Sequence, residues 1–152
     1  MNVENMMKLK TWLMAGAPHA ILNLHVGVYD ATKALEEGWG VEDQIHEKPD
    51  CGTVCCIAGA AHMMGHTEDG SFPDAKTQSK IIEDEGIWNI TRESALTFLG
   101  LENDQKYHKR STTGHYGHEL FVIEYAPDNC TPVQAAQAVQ NVIDGKPAWS
   151  GV

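Results

Sequence analysis

The stretch T-P-V-Q-A-A-Q-A-V-Q-N-V-I-D-G, from Thr131 to Gly145, decides the fold class. Thr131 suits an N-cap, because its hydroxyl can accept from the orphan N–H groups of a first helical turn. Proline at the first helical position loses no hydrogen bond, and Gln134, three residues after the cap, completes a capping box. Val133, Ala136, Val139 and Ile143 recur at helical spacing and predict one buried stripe. Gly145 supplies a residue that tolerates the left-handed conformation in which helices end. A helix with both ends written into it needs little help from its surroundings.

Similar signals stand upstream. Thr91 reads as the cap of a helix over Arg92 to Leu99, with Gly100 just past its end. Asn2 caps a first helix running to about Ala15, with Glu4 in its first turn. Met6, Leu9 and Leu13 form its apolar face, and Gly16 and Pro18 stop it. Asp30 suits the cap of a short helix, A-T-K-A-L-E-E, closed by Gly38. A further helix is expected from about Thr53 to Met64, and Lys80 to Trp88 holds one or two turns. The run Ala20 to Val28 alternates only partly, as a short strand or an extended core segment would. Leu120 to Tyr125 reads as either a strand or a core-anchoring turn. The stretches 38–50, 67–78 and 101–117 are polar and read as loops.

The expected architecture is therefore mainly α. It is a single compact domain over residues 1–152, with about five helices and one short β-hairpin or extended segments. A chain of 152 residues with 42% apolar content suits one core. Aromatic residues make up only 7%, so alanines and other small side chains must fill much of the interior.

Charge narrows the function classes. Twenty-one Asp and Glu stand against 11 Lys and Arg, a formal net charge of −10. Such a surface repels phosphate backbones and argues against direct nucleic-acid binding. It suits a basic partner surface, including the nucleic-acid groove of another protein; its plainer use is solubility. No stretch reaches transmembrane length. The segment Met1 to Leu13 carries Glu4 early and lacks a basic start before an apolar run, so it does not read as a signal peptide. The expectation is a cytoplasmic protein with reduced thiols, because Cys51, Cys55 and Cys56 crowd too closely for a disulfide framework.

The segment D-C-G-T-V-C-C-I-A-G-A-A-H-M-M-G-H, Asp50 to His66, is where chemistry is expected. At helical periodicity Cys51, Cys55, His62 and His66 share one stripe about 60° wide. Cysteine and histidine are preferred zinc ligands. One ion cannot join all four, because Cys51 and His66 would stand about 22 Å apart along a helix. His62 and His66 remain as an i, i+4 pair that needs further ligands, and Gly65 threatens to end the helix between them. A second reading makes Cys51 a nucleophile just outside a helix N-terminus, where the dipole favours thiolate. His115 or His118, in G-H-Y-G-H, would be its base. The plainer alternatives are cysteines packing a crowded helix and histidines in a solvated loop. The four tryptophans lack the basic interleaving of a nucleic-acid stacking surface. No phosphate loop, dinucleotide fingerprint or HExxH motif occurs.

Cys51-Gly52-Thr53-x-x-Cys56-x-x-Gly59-x-Ala61 resembles the CGT-x-x-C-x-x-G-x-A signature of a group of small bacterial and bacteriophage proteins. Ala95 to Leu101 resembles that group's A-x-x-x-LGL helix end. Leu120-Phe121 resembles its LF pair, and Thr131-Pro132-x-x-Ala135-Ala136 its final helix. The resemblance touches most of the chain through short motifs and implies a bacterial or phage setting. The group carries no assigned activity, so the resemblance implies no mechanism. The leading expectation is a small acidic, non-enzymatic interaction or inhibitory protein without a cofactor. A cysteine hydrolase or transferase using Cys51 with His115 or His118 is the first alternative. A zinc module using His62 and His66 is the second.

Overall fold

A computed structural model describes residues 1–24, 28–30, 36–38, 53–85, 91–107 and 117–152. The fold is mainly helical, with five helices among the described residues: α1 (Val3–Met14), α2 (Ile57–Gly65), α3 (Ala75–Glu85), α4 (Thr91–Leu99) and α5 (Pro132–Ile143). Three short strands, β1 (Ala20–Leu22), β2 (Val28–Asp30) and β3 (Thr53–Cys55), form one sheet in the order β1-β3-β2. β3 is central, parallel to β1 with Ile21 opposite Val54, and antiparallel to β2 with Tyr29 opposite Val54.

The capped helices form as their sequences dictate. Asn2 accepts from the Asn5 N–H at 3.1 Å and starts α1. Thr131 and Gln134 make the full reciprocal capping box on α5. α4 ends at Gly100 (φ +61°), where Leu101 N–H reaches back to the Leu96 carbonyl at 2.9 Å. The start of α1 seals this end. The Asn2 N–H donates to Leu99 O at 2.8 Å, and the Asn5 side-chain amide to Phe98 O at 2.7 Å, so two orphan carbonyls are satisfied. A Cβ on Gly100 would stand 2.6 Å from the Asn2 backbone nitrogen, so only glycine fits that junction.

Three expectations change. The helix placed at about Thr53 begins four residues later, at Ile57, because Thr53, Val54 and Cys55 pair with strands on both sides. Asp74, not a loop residue, starts α3: its carboxylate accepts from Thr77 N–H at 2.8 Å, and α3 takes in the polar run A-K-T-Q. Val133 is 56% exposed, and the buried face of α5 is Ala135, Ala136, Ala138, Val139 and Asn141. Small residues on that face let α1 approach closely. Asp30 is the last residue of β2; most of the helix expected after it, and the 39–50 loop, lie outside the described residues. The uncertain segments resolve as β1 within Ala20 to Val28, and as 3₁₀ turns over Glu119–Phe121 and Ile123–Tyr125 that bury Leu120, Phe121 and Val122.

α1 packs along α5 and α2 along α4, and α1 also touches α2 and α4. Met6, Leu9 and Leu13, fully buried, thus join both helix pairs in one continuous core with Met63, Leu99, Leu120 and Val139. Trp12 stacks on Phe72 with 4.3 Å between ring centres. The Trp149 indole N–H donates to Glu119 O at 3.2 Å. Both serve packing. No helix among the described residues is long and apolar enough to cross a membrane.

Candidate functional site

α2, I-A-G-A-A-H-M-M-G, is buried on nearly every side, from Ile57 through Met64. A helix apolar all round belongs inside a core, and this one contains a single interruption, His62. His62 is 7% exposed. Its Nδ1 is hydrogen-bonded to the hydroxyl of Ser94 on α4. One residue past the helix, at the C-cap, stands His66, exposed, with its ring 4.7 Å from that of His62 and turned by 78°. A Cβ on Gly65 would sit 3.6 Å from the Phe98 side chain. His62 thus meets Ser94 and Gly65 meets Phe98, so α2 and α4 run in the same direction. Four residues before Phe98, the serine is delivered one turn deeper into the same seam.

At the other end of the seam Cys56 is the N-cap of α2. Its Sγ accepts from the Gly59 N–H at 3.3 Å, a role usually filled by oxygen. The residue keeps some exposed surface while its sulfur is enclosed. Burial pushes the thiol pKa up; the Gly59 bond and the Arg92 charge pull the other way without cancelling it. Burial also pushes Cys130 up to about 11. Both stay protonated at neutral pH. Cys55 is a wholly buried residue of β3.

The four-residue Cys/His stripe therefore dissolves. Cys55 lies on a strand, and only His62 and His66 share a helical face. Gly65 does end the helix, yet the two rings still meet. Cys51 and His115 lie outside the described residues. His118 Nδ1 accepts from Leu120 N–H at 3.2 Å, capping the 3₁₀ turn that follows. Burial lowers its pKa against the opposing pull of Glu119 and Asp104. Its ring lies 6.3 Å from both Tyr107 and Phe121. The turn beyond it packs on α2. Among the described residues no group of three or more His, Cys, Asp or Glu converges on a common point.

Ser94 and Arg92 were not singled out from sequence. Neither carries a local signature; their place depends on α4 lying along α2. No protein-family model, curated protein or solved structure matches the chain. The seam brings together a buried histidine held by a serine, an exposed histidine against it, and a protonated thiol at the far end.

Proposed function

We propose that the chain acts without catalysis, by binding a protein that presents a basic surface. The observation that carries this reading is the state of its carboxylates. Among the described residues three ion pairs form, Glu4–Lys8, Asp104–Lys106 and Asp144–Lys146, and all are between near neighbours in sequence. None ties one element to another. Glu68, Glu83, Asp84, Glu124 and Asp128 are all exposed. Glu83 and Asp84 lie in the last turn of α3, which has no basic residue. Negative charge there opposes the helix dipole at roughly 0.3–1 kcal/mol each. Carboxylates kept where the fold gains nothing from them favour a use outside the fold.

Cys56 and Cys130, their thiol pKa values both raised by burial, offer no thiolate to a substrate. Occupation of a nucleic-acid groove on another protein is the specific form that the charge favours. The CGT-x-x-C resemblance supports a bacterial or phage setting.

The test is affinity capture from bacterial lysate, run in parallel with a variant carrying Glu83→Gln, Asp84→Asn, Glu124→Gln and Asp128→Asn. Basic partners should bind the wild type and elute as salt rises from about 50 to 500 mM, where screening shortens to a few ångströms. They should bind the variant at least tenfold more weakly as purified proteins. Capture that ignores both salt and the substitutions, or no reproducible partner, would overturn the reading.

A further inference from the structure

We infer that α3 is a lid that opens as a unit from β2 while the rest of the chain stays folded, and that the carboxylates at its C-terminal end set how often it opens. The first observation is what the helix buries. α1, α2, α4 and α5 each seat wholly buried apolar side chains in the core, Leu9, Met63, Leu99 and Val139 among them. α3 seats none. Its apolar side chains Ala75, Ile81 and Ile82 are only partly buried, and its one fully buried side chain is polar, Gln78. Among the described residues α3 packs chiefly on β2, a strand of three residues at an edge of the sheet. Elements with so little buried apolar surface are the ones that open locally, ahead of the whole fold.

The second observation is how the helix is tied down. Gln78 Nε2 donates to Pro73 O at 2.8 Å, five residues back along the same stretch of chain. It also donates to His19 O at 3.0 Å. Among the described residues that is the hydrogen bond joining α3 to a distant part of the chain. Oε1 of the same amide is buried without a protein partner. An enclosed acceptor gains hydrogen bonds to solvent when the helix lifts, which offsets part of the tie.

The third is charge. The sequence of α3 ends in Glu83, Asp84 and Glu85, and its last turn holds no basic residue. Carboxylates there face the negative end of the helix dipole. Eleven residues are too few for an isolated helix to persist, so α3 unwinds once it leaves β2. A basic surface set against this end would hold the lid shut. The opening itself follows from packing and stands whether or not the protein-binding proposal holds.

The test is native-state hydrogen exchange of full-length, untagged protein, read by NMR in urea from zero to about 2 M. The α3 amides should be at least tenfold less protected than the slowest amides of α1 and α5. Their exchange should rise little with urea, because opening exposes little surface. Met63→Ala, in the core, should speed the slowest α1 and α5 amides about a hundredfold and leave α3 within about twofold of wild type. Should that variant fail to fold, the urea series on the wild type makes the same distinction. Glu83→Gln with Asp84→Asn should raise α3 protection about threefold. Protection of α3 equal to that of α5 would overturn the inference. So would α3 exchange that rises in step with α5 under urea or Met63→Ala, or α3 protection unmoved by the charge substitutions.

Discussion

α5 and α2 are both alanine-rich helices in one core, and they are specified in opposite ways. α5 carries its own start, with Thr131 and Gln134 capping each other and Pro132 in the first turn, and it buries one face. α2 is nine residues long, too short for an isolated helix to persist. It is capped by a sulfur and enclosed on nearly every side. Local chemistry dictates α5, whereas neighbours dictate α2. A polar group costs little on the open face of α5 and must be partnered inside α2. Ser94 partners His62 in this way. The candidate site thus sits where the fold depends most on tertiary contacts.

The sharpest way to break this contrast is truncation at a buried α2 position beside truncation at an exposed α5 position. Met63 is fully buried, so Met63→Ala should lower unfolding free energy by about 3 kcal/mol. Val133→Ala, at a residue 56% exposed, should change it by no more than about 0.5 kcal/mol. Urea denaturation of both measures the difference. Similar losses would mean that α5 buries the valine stripe read from its spacing, and the contrast would collapse.

The next effect tests whether α4 belongs with the locally or the tertiarily specified helices. Its C-terminal glycine is legible in sequence, but its seal comes from α1. Gly100→Ala places a Cβ 2.6 Å from the Asn2 nitrogen and forces a left-handed alanine. The conformation alone costs about 1–2 kcal/mol, and the displaced Asn2 bond adds to it. A loss of about 2 kcal/mol or more is expected by urea denaturation. A loss within about 1 kcal/mol would mean that α1 does not close this end.

These cases show why the sequence was legible in parts. Asn2, Gly100 and Thr131 mark helix ends through contacts only a few residues long, so composition at those positions suffices. The fate of Thr53, Val54 and Cys55 depends on Ala20 to Leu22, more than thirty residues away, and no local pattern reports that pairing. The start of α3 was missed because Asp74 stands in a polar run and Gln78, fully buried, looks like a loop residue. Its amide Nε2 donates to the carbonyls of His19 and Pro73. At the site, the spacing of His62 and His66 was readable as a pair. Ser94 was not, since it arrives from another helix.

The two caps offer a finer comparison. Thr131→Ala should cost about 1 kcal/mol, the usual loss for a hydroxyl cap. Cys56→Ser replaces a weak sulfur acceptor with a better oxygen one at nearly the same size. It should leave stability within about 0.5 kcal/mol of wild type by urea denaturation. A loss of several kcal/mol in Cys56→Ser would show that the sulfur's packing in the seam, rather than its bond to Gly59, holds the start of α2.

The smallest expected effect is a pH dependence, and it belongs to a cap outside both helices. His118 accepts the Leu120 N–H through Nδ1, so the cap exists only while that nitrogen is unprotonated. Burial is the main cause of its lowered pKa; Glu119 and Asp104 raise it, and Lys106 lowers it further. In the unfolded chain the imidazole titrates near its usual value of about 6.5. Between that value and the lower folded one, the unfolded state binds more protons, so stability rises with pH in that window. The contribution is whole above about pH 6.5 and is lost as pH falls through the folded pKa. Asparagine caps without titrating, so His118→Asn should flatten this part of the profile. The measurement is unfolding free energy of both chains from pH 7.5 to 4.5. Profiles that run parallel throughout would mean that His118 takes up its proton equally in both states, leaving the turn that packs on α2 without a pH-dependent cap.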